Sequence, residues 1–151
     1  MKTLVIYYSY EGNSEFVAAQ IKAALGADLL RIETEDDRKR TGLSKFIWGG
    51  KQVFSRALPE LKPYEVDIGA YDLIILGCPV WAGSPAPALR SFLARTPVKD
   101  KRIALFVCHG GGKGETLEKL KRELPGNTFV GDLDLANPLK GDAAAVKERI
   151  N

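Results

Sequence analysis

Long hydrophobic runs are missing from this sequence. No stretch of about 18 apolar residues exists, so no segment is suited to cross a bilayer as a helix. Cysteine is scarce: Cys78 and Cys108 are the two present in 151 residues. That excludes a disulfide scaffold and suits reduced thiols in a cytosol. Charge of one sign is not in excess either. The formal net charge is +3, and acidic residues are mixed among basic ones along most of the chain, so nothing marks a nucleic-acid partner. The densest cluster, Glu35-Asp36-Asp37-Arg38-Lys39-Arg40, carries both signs and reads as a solvated loop. Met1-Lys2-Thr3-Leu4 runs straight into a strand-like segment with no apolar leader or cleavage site, which predicts a cytoplasmic protein. Repeats, low-complexity tracts and linkers are absent, so residues 1–151 read as one domain. No metal site is indicated.

What is present is an alternation of short apolar runs and amphipathic segments. Leu4-Val5-Ile6-Tyr7-Tyr8, Leu73-Ile74-Ile75-Leu76 and Ile103-Ala104-Leu105-Phe106-Val107 are continuous rather than alternating. Strands buried on both faces of a parallel sheet have that pattern. Ala27 to Glu33 and Thr128 to Leu133 read as edge strands. Helices are predicted from Ser14 to Leu25, Pro85 to Arg95, Glu115 to Leu124 and Asp142 to Ile150. Asn13 stands where the first helix would take its N-cap, and Gly26 where the chain leaves it. The order implies a doubly wound α/β sheet. An insert from Thr34 to Asp67 interrupts it, read as an irregular helix over Ser44–Leu58 followed by an extended loop.

In such sheets ligands bind beyond the carboxyl ends of the strands, which singles out three loops. The first, Ser9-Tyr10-Glu11-Gly12-Asn13-Ser14, opens directly into a helix. Its backbone N–H groups and the helix N-terminus make a phosphate cup without Lys or Arg; an ordinary helix cap is the plainer alternative. The second contains Pro79-Val80-Trp81-Ala82-Gly83, where Trp81 offers a flat face for a planar ligand, or simply covers the core. The third, Cys108-His109-Gly110-Gly111-Gly112, is nearly all backbone and could approach a ring edge, or be a plain surface turn. A P-loop needs Gly-x4-Gly-Lys-Ser/Thr, and no lysine follows Gly12, so ATP hydrolysis is not indicated. Cys78 and Cys108 both end central strands, and buried inert thiols are favoured over a redox dithiol.

Taken together, the three loops resemble those of flavodoxins. Ser9, Gly12, Asn13 and Ser14 resemble the phosphate loop of that family, and the Trp81 segment resembles its first flavin loop. The Cys108 segment stands where the second belongs. The resemblance implies a flavodoxin-like three-layer α/β/α fold, a five-stranded parallel sheet in the order 2-1-3-4-5, and FMN as cofactor. It departs from the family at Tyr10 and Glu11, in lacking a tyrosine in the third loop, and in lacking an acidic surface.

The function expected is electron transfer through bound FMN, with redox proteins or a small-molecule acceptor as partners. The alternative is an FMN-dependent NAD(P)H oxidoreductase acting on a quinone or similar acceptor. Lys113 or His109 is the expected charge tuner near the ring. The insert around Phe46 and Trp48 offers either a flavin cover or a homodimer face.

Overall fold

The computed structural model describes residues 2–10, 12–35, 58–81, 83–109, 114–136 and 138. The helix expected at 142–150 and the irregular helix expected within 44–57, with Phe46 and Trp48, lie outside them.

Strand β1 (Thr3–Tyr8) is buried at every position, and its side chains divide by parity. Leu4, Ile6 and Tyr8 enter one core, while Val5 and Tyr7 enter the other. A strand has a side-chain period of two, so a continuous apolar run can bury both faces. β3 (Leu73–Trp81) and β5 (Arg102–His109) obey the same logic. Ile74, Leu76, Ile103 and Leu105 face one way, and Ile75 and Phe106 the other.

Helix α1 (Asn13–Leu25) covers the second core with Val17, Ala18 and Ile21. On the opposite face, α2 (Pro87–Arg95) supplies Leu89 and Phe92, and α3 (Thr116–Arg122) supplies Leu117 and Leu120. The result is three layers, helix on sheet on helix. β2 (Asp28–Ile32) and β6 (Thr128–Ala136) form the two edges. All four neighbouring pairs along the path β2-β1-β3-β5-β6 run parallel. This is the expected order 2-1-3-4-5 once a short extra strand, β4 (Ser84–Pro85), is counted; it pairs antiparallel with the end of β3.

Several boundaries differ from expectation, and four have a physical reason. β3 runs five residues beyond Leu76, because Gly77, Cys78 and Pro79 continue the ladder with β5 and Val80 and Trp81 then pair with β4. Pro85 belongs to β4, so α2 begins at Pro87. β6 extends to Ala136 and carries a register shift opposite Ile103/Ala104, with Val130 as the extra residue. Asn13 is not the cap of α1: the cap is Gly12, and Asn13 is the first helical residue.

Gly77 has a packing role. A Cβ built there would fall 1.9 Å from the Phe106 ring. Its bare backbone is what lets Phe106, 1% exposed, lie flat across the sheet.

The insert is tied at its base. Thr34 and Leu61 form an antiparallel bridge, flanked by Glu35 N–H donating to Glu60 O and Lys62 N–H donating to Glu33 O. Beyond it, residues 62–67 run without regular structure, as expected, to a 3-10 turn at Ile68–Ala70.

Candidate functional site

The three loops meet at the carboxyl ends of β1, β3 and β5. In the first, Gly12 takes φ 100°, a left-handed conformation that glycine adopts without Cβ strain. The chain therefore turns into α1 abruptly, and the capping residue, a glycine, offers no side-chain cap. The first-turn amides of a helix have no intrahelical acceptor, so an uncapped end presents them to an outside anion.

Ser9 is buried, and its Oγ accepts from the Gly12 N–H at 3.2 Å. The hydroxyl holds the loop closed while keeping its own proton to donate. Ser14 is 1% exposed, and its Oγ has no hydrogen-bond partner among the described residues. It lies close enough to the Cys108 sulfur to favour the thiolate, but without the geometry of a formed hydrogen bond. A buried hydroxyl without a partner is costly unless a ligand supplies one.

Arg31, on β2, stands behind this loop. Its guanidinium donates to Ser9 O at 3.4 Å and pairs with Glu15 at 3.2 Å. The cup was expected to lack a cation, and its own residues do lack one; the nearby charge comes from a neighbouring strand. Nothing in the local sequence around Arg31 signals this.

Tyr10 was expected at the ligand, but its side chain is buried against Trp81. The Tyr10 and Trp81 rings meet at 5.7 Å and 89°, and Tyr8 meets the same indole at 5.8 Å and 85°. Both contacts are edge-to-face, a favoured aromatic geometry. Neither tyrosine stacks flat on the indole, and Trp81 stays half-buried at the end of β3. Pro79 and Val80 precede it in the same partly exposed strand end. The first two loops are thus joined through the Tyr10–Trp81 contact.

Trp81 and Ser84 pair across a tight hairpin that contains Gly83 at φ 69°. Gly114, where the third loop ends, packs on Gly83: a Cβ at Gly114 would lie 3.1 Å from Gly83 Cα. Lys119, on α3, also reaches this hairpin, donating to Ser84 Oγ at 2.7 Å and to Gly83 O at 3.3 Å. The Lys119 contact was not foreseen from sequence.

At the third loop, the Cys108 side chain is spent on the core beneath Ser14. His109 Nε2 lies 3.1 Å from Asp134 Oδ2 on β6. Glu11, Ala82, Gly110, Gly111, Gly112 and Lys113 lie outside the described residues.

The two cysteines cannot form a dithiol pair within this fold, because they face opposite cores. Burial pushes the Cys78 thiol up to about 12 and the Cys108 thiol up to about 11. Both are inert, as expected. An open groove of about 430 Å³ beside Leu58, Leu61 and Ala94 shares no lining residue with the three loops. The loops, with their buried polar groups and aromatic wall, are the better site.

Comparison with known proteins agrees with this geometry. The family model described as flavodoxin matches residues 2–145. The chain belongs to the flavodoxin family. The flavodoxin of Megasphaera elsdenii is 26% identical over 153 aligned residues, covering 95% of this chain and 92% of that protein. Among solved structures, a Lactobacillus acidophilus flavoprotein in complex with FMN superposes with a TM-score of 0.77 at 22% identity, covering 91% of this chain and 95% of that one. Two-electron reduced Megasphaera elsdenii flavodoxin gives a TM-score of 0.59 at 20% identity, covering 98% and 97%. This flavodoxin-family chain therefore has the family's fold, with its first loop opening α1 and its tryptophan segment closing β3.

Proposed function

We propose that this chain binds FMN at the three loops and serves as an electron-transfer protein. The observation that carries the reading is Ser14. Its hydroxyl is buried, lacks a hydrogen-bond partner among the described residues and sits in the first turn of a helix whose capping residue is a glycine. A phosphoryl group there would satisfy it and accept from the first-turn amides. Family membership and the FMN-bound L. acidophilus relative support the same cofactor.

Bound flavin supplies one- and two-electron chemistry. The residues hold it in place. Ser9, Gly12, Asn13 and Ser14 grip the phosphate end. Trp81, steadied edge-on by Tyr8 and Tyr10, offers apolar surface to the ring. Pro79, Val80 and Gly83 shape the turn that carries it. Arg31 adds positive potential behind the phosphate; at 38% side-chain exposure that contribution is screened by water and salt.

The partners proposed are redox proteins or a small acceptor. Because the net charge is only +3 and mixed in sign, long-range steering by an acidic surface is not part of the reading.

Titrating purified apoprotein with FMN tests this. The expected result is a perturbed flavin absorption spectrum, quenched flavin emission, and tighter binding of FMN than of riboflavin. A protein that leaves added FMN unperturbed refutes the proposal. Adding NADPH and a quinone to the loaded protein separates a carrier, which consumes no NADPH, from an oxidoreductase.

A further inference from the structure

Helix α3 carries three basic side chains, and two of them are matched by acids. Lys121 pairs with Asp132 at 2.9 Å, and Arg122 lies 4.0 Å from Glu115. Lys119 differs. It is half-buried, and its contacts are both neutral: Ser84 Oγ at 2.7 Å and Gly83 O at 3.3 Å. No carboxylate pairs with it among the described residues. Those two acceptors are consecutive residues of the hairpin that follows Trp81. The same hairpin is packed from beneath by the Gly114 backbone. An ammonium has three donors, so one N–H of Lys119 is left beyond these two bonds among the described residues.

Two other groups were expected to bring charge to the ring. Lys113 lies outside the described residues, and His109 is turned to Asp134 on β6. Lys119 stands on a packed helix and is bonded to the turn that carries the aromatic wall.

We propose that Lys119 is the positioning residue of the flavin turn. It clamps the Trp81–Ser84 hairpin through Gly83 O and Ser84 Oγ, and it brings a positive charge to the ring-binding end of β3. This rests on the FMN reading above. The clamp has two consequences. The hairpin is pre-set in the free protein, so less ordering is needed when a ring arrives. The charge stabilises added negative charge on a reduced ring by Coulomb attraction, which raises its potential.

The test uses the full chain with Lys119→Met, Lys119→Arg and Ser84→Ala, measured in two ways. The first is amide hydrogen exchange of residues 80–86 in the apoprotein. The second is the FMN dissociation constant together with the potential for adding the second electron. Lys119→Met is expected to speed exchange in the hairpin, weaken FMN binding about tenfold, as loss of a charged hydrogen bond does, and lower the second potential. Lys119→Arg, which keeps charge and donors, should restore the potential. Ser84→Ala should speed exchange while leaving the potential near that of the parent. Unchanged exchange and an unchanged potential in Lys119→Met overturn the proposal. A parent protein that fails to bind FMN overturns the functional reading instead, and the apoprotein exchange data still decide whether the clamp exists.

Discussion

Replacing Ser14 with alanine should move two measurable quantities in opposite directions. In the free protein the Ser14 hydroxyl is desolvated, at 1% residue exposure, with no formed hydrogen bond among the described residues. An unsatisfied buried hydroxyl costs about 1–3 kcal/mol. Proximity to the Cys108 sulfur recovers some of that. Alanine also has the better helix propensity at this first-turn position, by about 0.5 kcal/mol. Apo Ser14→Ala should therefore be at least as stable as the parent, and up to about 1 kcal/mol more so. For a chain of this length that is a rise in Tm of roughly 2–4 °C.

With FMN the sign reverses. A hydrogen bond to an ionised phosphoryl oxygen contributes about 1.5–3 kcal/mol. The dissociation constant should rise about 10- to 100-fold, at about 1.4 kcal/mol per decade. Saturating ligand stabilises in proportion to the logarithm of concentration over Kd, so the FMN-induced rise in Tm should shrink correspondingly. Riboflavin, which lacks the phosphate, is the internal control, and its affinity should not change. The measurements are thermal melts of the apoprotein with and without FMN, and fluorescence titrations with both flavins. Equal losses for FMN and riboflavin, or FMN binding as tight as in the parent, would refute the assignment of Ser14 to the phosphate.

Three further outcomes follow from the geometry. Gly77→Ala would drive a methyl into the Phe106 ring, and overpacking of that kind costs about 1–3 kcal/mol; an unchanged denaturation midpoint would contradict it. Trp81→Ala should weaken FMN and riboflavin together, because its ring serves the flavin rather than the phosphate; selective loss of FMN would place Trp81 elsewhere. The thiols give a pH dependence. Burial raises both, so the folded state keeps its thiol protons after the unfolded chain has released them. Their contribution to stability is intact below about pH 9, the ordinary thiol value. It declines as pH rises toward about 11 for Cys108 and about 12 for Cys78. The double Cys→Ala variant should lose that alkaline slope in denaturation curves between pH 8 and about 11, and neither native thiol should alkylate at pH 8.

Much of the sheet was legible because each central strand buries both faces, which leaves unbroken apolar runs at Leu4–Tyr8 and Ile103–Val107. The strand order came from resemblance, not periodicity. What stayed hidden has identifiable causes. Asn13 has the composition of a cap, yet the capping position went to Gly12, because the turn requires a positive φ that composition does not display. Pro79 reads as a strand breaker, but it sits where the ladder with β5 ends and loses little by lacking an N–H. Tyr10 lies in a loop that reads as ligand-facing, but Trp81 captures its ring, a contact between segments some 70 residues apart. Arg31 and Lys119 reach the site from elements distant in sequence, and only the folded chain brings them there. The opposed faces of Cys78 and Cys108 depend on the register of β3 against β5, which sets Cys78 opposite Val107.

The staple at Thr34 and Leu61 bears on how this scaffold can change. The chain departs and returns at adjacent points that are hydrogen-bonded to each other, so the ends of that stretch stay together whatever its length. Evolution, or a protein engineer, can lengthen, shorten or exchange that stretch as a cassette while the strand ends that carry the three loops keep their alignment.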